Sequence, residues 1–98
     1  MNPQELIEVA RKSNELALII FYADWSPHYE WIERAMAQED PNVHVIRINS
    51  HGDEKIAKQF DIEIVPAFVL FKGNTILWKQ TGDVTPDELK EIITMFNI

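Results

Sequence analysis

Seven successive apolar residues, Leu16-Ala17-Leu18-Ile19-Ile20-Phe21-Tyr22, limit what this chain can fold into more than any other feature. A strand with one wet face alternates apolar and polar residues. A run with no polar position instead reads as a strand covered on both faces. A helix is compatible with so short a run, but its length and the flanking turn signals favour strand. The chain must therefore supply further elements to pack above and below it.

Helices and strands alternate around that run, without repeats or low-complexity segments. Asn2 is placed to cap a first helix with Pro3 at its first position, and Leu6, Val9 and Ala10 give it an apolar side ending near Ser13-Asn14. After Tyr22 the segment Ala23-Asp24-Trp25-Ser26-Pro27-His28-Tyr29 forms a turn into a second helix, where Trp31, Ile32, Ala35 and Met36 recur at helical spacing and Glu30 pairs with Arg34. Asp40-Pro41-Asn42 breaks it. Val43 to Ile48 reads as a second strand, followed by a turn at Ser50-His51-Gly52-Asp53 and a short helix from Glu54 with Ile56, Ala57 and Phe60 inward. Pro66 to Phe71 is a third strand. Lys72-Gly73-Asn74 is a hairpin signal into Thr75 to Thr81, where Trp78 is expected to share a face with Ile76. Gly82 ends that strand, and Thr85-Pro86-Asp87-Glu88 is a capping box for a last helix that buries Leu89, Ile92, Ile93 and Phe96. The fold class is α/β, in the order α-β-α-β-α-β-β-α, with a mixed sheet and helices on both of its faces.

Composition narrows the function. The 98 residues, 46% hydrophobic and 26% charged, suffice for one domain with one core, spanning 1–98. A net charge of −7 opposes a nucleic-acid backbone as partner. No apolar run approaches the ~20 residues of a membrane helix, and the N-terminus lacks a basic, apolar leader, so a cytoplasmic location away from membranes is expected. Cysteine is absent from the chain.

Four landmarks in order resemble the thioredoxin family: Phe21-Tyr22-Ala23-Asp24-Trp25, Val65-Pro66, Phe71-Lys72-Gly73-Asn74 and Gly82. The resemblance covers nearly the whole chain. It implies a thioredoxin-like fold and a cis peptide at Val65-Pro66 beside Ser26. The family's Cys-x-x-Cys falls here on Ser26-Pro27-His28-Tyr29, so both thiols are missing. A buried acid six residues before the nucleophile is here Ile20, and Arg47 stands where a lysine often neighbours that acid. Family members also begin with a strand before the first helix, which this chain starts too late to supply. The strand Val43 to Ile48 is then expected at a sheet edge, able to recruit another chain.

Disulfide exchange needs a thiolate at a helix start. A serine hydroxyl cannot enter that cycle and Tyr29 cannot resolve a mixed disulfide, so no catalytic residue is expected. Ser26 reads as a helix cap ahead of Pro27. The competing reading, a nucleophile with His28 as base, lacks a third group to orient the pair. Trp25 is either a lid over the helix start or a docking surface for peptide. In the family, the backbone before the proline pairs with an extended peptide, a mode that needs no thiol. Gly82 and Asp83 would complete that groove; the alternative is that Pro66 starts a strand and Gly82 ends one.

His28, His44 and His51 match no ligand spacing, so neither metal nor cofactor is expected. Asp61 and Glu63, around Ile62 and Ile64, read as a solvated loop. The resulting expectation is a redox-inactive domain that binds a protein or peptide segment through Trp25, Ser26, Pro27, His28, Val65, Pro66, Gly82 and Asp83. Two alternatives are a thiol-disulfide oxidoreductase of cell redox homeostasis, which likeness alone would suggest, and an assembly protein forming a homodimer through the edge strand.

Overall fold

In the computed structural model, which describes residues 2–23, 43–82 and 84–96, the apolar run is a strand at the centre of the sheet. Helix α1 (Pro3–Ser13) precedes strand β1 (Leu16–Tyr22), and strand β2 (His44–Asn49) leads to helix α2 (Glu54–Gln59). Strands β3 (Ala67–Lys72) and β4 (Thr75–Thr81) form a hairpin, and helix α3 (Pro86–Phe96) follows. The expected helix opening at Ser26 lies outside the described residues. The strand order is β2-β1-β3-β4, with β1 and β2 parallel and the other pairs antiparallel.

Alternation along the strands divides the core into two layers. Ala17, Ile19 and Phe21 of β1 join Ile46, Ile48, Val69 and Phe71 on one face, beneath Ile7 and Ala10 of α1 and Ile56 and Ala57 of α2. Leu16, Leu18 and Ile20 join Phe68 and Leu70 on the other, beneath Leu89 and Ile93 of α3. Both faces of β1 are thus dry, as a run without a polar residue requires.

The helix ends follow local chemistry. Asn2 Oδ1 accepts from the Glu5 amide at 2.9 Å, and Pro3 stands where no intrahelical N–H is needed. Thr85 Oγ1 accepts from the Glu88 amide at 3.2 Å, which caps α3. Gly73 takes the left-handed φ of 59° in the β3–β4 turn, and a Cβ there would lie 2.7 Å from Asn14 Oδ1. Gly73→Ala should therefore lower stability by about 1–2 kcal/mol, most of it from the backbone because the Asn14 side chain can give way. Urea unfolding would measure it.

Two expectations need correction. The buried side of α1 is Ile7 and Ala10, whereas Leu6 and Val9 are 37% and 46% exposed. Both stripes have helical spacing, and the angle at which α1 meets the sheet selects between them. Trp78 also does not share a face with Ile76. A bulge pairs Leu70 with Trp78 but Phe71 with Ile76, which turns Leu77 and Trp78 onto the α3 layer and leaves Ile76 51% exposed.

Candidate functional site

The segment that enters β3 is where described candidate residues meet. Ile62 is buried, Ile64 is 64% exposed, and Val65 is half-buried against the α1–α2 layer. The Val65–Pro66 peptide is cis. The Pro66 carbonyl accepts the Gly82 amide at 2.8 Å, which ties the entry to β3 to the exit from β4. Gly82 adopts a φ of 90°, with nothing within 4 Å of where a Cβ would stand, so glycine serves the backbone there and not a close approach.

Among the described residues neither the Val65 N–H nor its C=O enters a backbone hydrogen bond. Backbone groups without such a partner are what an added strand needs. A cavity of about 220 Å³ opens beside it, with Ala57, Ile62 and Val65 in its lining.

Lys79 holds this segment in place, and the sequence reading missed it. Its Nζ donates to the carbonyls of Phe60 at 2.8 Å and Asp61 at 3.1 Å, closing the end of α2 where Asp61 turns through a φ of 57°. Nothing local marks it, since Lys79 is an exposed lysine on β4 opposite Val69. Asp61 and Glu63 are exposed in a loop, as expected.

Of the other candidates, Trp25, Ser26, Pro27, His28, Tyr29 and Asp83 lie outside the described residues. Ile20 is 0% exposed, between Arg47 of β2 and Phe68 of β3. An aliphatic side chain there can neither accept nor hold a proton. Arg47 is exposed on the neighbouring strand. His44 Nε2 stands 3.5 Å from both Ser13 Oγ and Glu15 Oε1. Both contacts fall on one ring nitrogen, so they do not make the relay of a nucleophile, a base and an orienting acid. Among the described residues no three potential ligands gather around a metal position.

Known proteins show the same architecture. The family model described as thioredoxin matches residues 1–95. Thioredoxin H5 of Arabidopsis thaliana is 30% identical over 89% of this chain and 75% of its own length. Glutaredoxin-3 of Homo sapiens is 26% identical over 91% of this chain, which spans only 27% of that protein. The crystal structure of thioredoxin NaTrxh from Nicotiana alata superposes with a TM-score of 0.80 at 23% identity, covering 94% of this chain and 82% of that one.

Proposed function

This chain belongs to the thioredoxin family, and from that premise we propose that it binds an extended protein segment non-covalently where its relatives carry their thiols. The observation that supports this most is that, among the described residues, the backbone of Val65 has no hydrogen-bond partner, beside a Pro66 anchored to Gly82. A segment lying alongside Val65 would gain main-chain hydrogen bonds there, and one of its side chains would enter the cavity over Ala57 and Ile62. Trp25 would add apolar contact, and Ser26, Pro27, His28 and Asp83 would flank the segment by their correspondence to the family's motif positions.

No sulfur is required for any of these contacts. The 98 residues include no cysteine, and the position of the family's proton acceptor is Ile20. Disulfide exchange transfers a bond from one sulfur to another through a mixed disulfide, so a chain without a thiol has nothing to attack with. In an insulin-reduction assay the protein should therefore stay at the blank rate.

Trp25→Ala should weaken binding of an unfolded, thiol-blocked polypeptide such as reduced carboxymethylated α-lactalbumin by roughly tenfold or more, as truncation of an interface tryptophan commonly does. Circular dichroism should be unchanged. Equal affinity in the folded variant would remove Trp25 from the site, and no binding by the wild type would end the proposal.

A further inference from the structure

We infer that a second copy of this chain docks on the β2 edge, pairing β2 with β2 antiparallel and seating the two α1 helices against each other. Among the described residues β2 pairs only with β1. Its sequence His44-Val45-Ile46-Arg47-Ile48-Asn49 contains no proline or glycine to interrupt a ladder about Ile46.

The apolar pair on α1 lies over that same edge. Of the four strands, β2 is the one α1 lies closest to. Leu6, Val9 and Ser13 share one helical stripe, and Ser13 Oγ sits 3.5 Å from His44 Nε2 at the start of β2. The opposite flank of α1 faces the other way, with Arg11 Cζ 5.9 Å from the Phe60 ring centroid. The exposed Leu6 and Val9 are therefore turned toward the β2 edge, which no other described strand covers, and not toward α2.

The heights match as well. The chain reverses at Asn14-Glu15, so α1 runs against β1 and against the parallel β2. Val9 is four residues back from Ser13, about 6 Å along the helix. Ile46 is two residues on from His44, about 7 Å along the strand. A two-fold axis through the Ile46 pair thus also passes between the two Val9 side chains. Antiparallel α1 helices then bring Glu5, in the acidic first turn, opposite Lys12 of the other copy, in the basic last turn. Lys12 has no ion-pair partner among the described residues.

A lone partner strand would satisfy the edge but would bring no helix to cover Leu6 and Val9. The same surface rotated by two-fold symmetry supplies both complements, which is the defining property of an isologous interface. The net charge of −7 on each copy opposes association, so the dimer is expected to be weak.

Sedimentation equilibrium from roughly 10 µM to 1 mM tests this, a range suited to weak association. The wild type should shift from monomer to dimer. Val9→Lys places two like charges at the axis on an exposed helix position, and should weaken dimerisation by roughly tenfold or more with unchanged circular dichroism. Charge exchange gives an independent arm: Lys12→Glu should weaken the dimer, and adding Glu5→Lys should restore it. A monomer at every concentration would overturn the inference. So would a dimer that folded Val9→Lys leaves intact, or one that Lys12→Glu leaves unchanged.

Discussion

Phe68→Ala is expected to cost about 3–5 kcal/mol, a large share of the ~5–15 kcal/mol that holds a domain of this size folded. Phe68 is fully buried on β3, in the layer that also holds Leu18, Ile20, Leu70 and Leu89. Its strand is paired on both sides, with β1 and with β4, so the backbone has little freedom to collapse onto the vacated volume. Lost transfer free energy and a residual cavity therefore add. Urea unfolding should show a midpoint moved far toward zero denaturant with a similar slope, the signature of changed stability in an otherwise two-state transition. A midpoint change equivalent to less than about 1 kcal/mol would mean that Phe68 is not at the core of the fold.

Ile20→Asp, which reinstates the acid that the family carries, is expected to be the second severe change. Ile20 is fully buried, with Arg47 of β2 and Phe68 of β3 as its cross-strand neighbours and Leu18 and Leu70 in the same layer. A carboxyl placed there loses its hydration. The loss is several kcal/mol if it must be charged and less if it stays protonated. Burial pushes the carboxyl pKa of the folded variant above its unfolded value, and the solvent-exposed Arg47 guanidinium on the paired strand opposes it only in part. The folded state then holds a proton that the unfolded state releases, so stability falls as pH rises from the unfolded pKa through the raised one. The variant should be closest to wild type near pH ~4 and progressively weaker toward pH ~7. Denaturation midpoints across that range read the effect directly. A constant difference between variant and wild type would show that the new carboxyl is solvated, and that the site of the missing acid is not the dry position described above.

The fold was legible because its strongest signals are of kinds that tertiary context seldom overrides. The length and flanking turns of the apolar run favour a covered strand over a helix, and Thr85-Pro86-Asp87-Glu88 combines a capping box with a proline at the first helical position. The element boundaries agree within a residue: β2 begins at His44 and not Val43, and β3 at Ala67 and not Pro66. What escaped the sequence was relational. Leu6-Val9-Ala10 and Ile7-Ala10 are equally good helical stripes, and only the packing of α1 against the sheet distinguishes them. The bulge opposite Leu70 and Phe71 has no glycine or proline to mark it in Ile76-Leu77-Trp78, so strict alternation put Trp78 on the wrong face.

The candidate site was legible in part, and for the same reason. Val65-Pro66 and Gly82 stood out as punctuation, and the structure joins them through one backbone hydrogen bond. The grip of Lys79 on the carbonyls of Phe60 and Asp61 depends on two segments 18 residues or more apart in sequence, so no local pattern announces it. That the Val65 amide and carbonyl find no backbone partner among the described residues is likewise a property of what surrounds the residue and not of valine.

The account's central claim is that recognition at the Val65–Pro66 segment proceeds without sulfur, and amide chemical shifts test it most directly. One unfolded polypeptide, prepared both with free thiols and with its thiols carboxymethylated, is titrated into the labelled protein. The expected result is that both forms bind equally well, with the largest shifts at Val65, Ala67 and Gly82. Binding of the free-thiol form alone, or shifts that leave those three amides untouched, would contradict it.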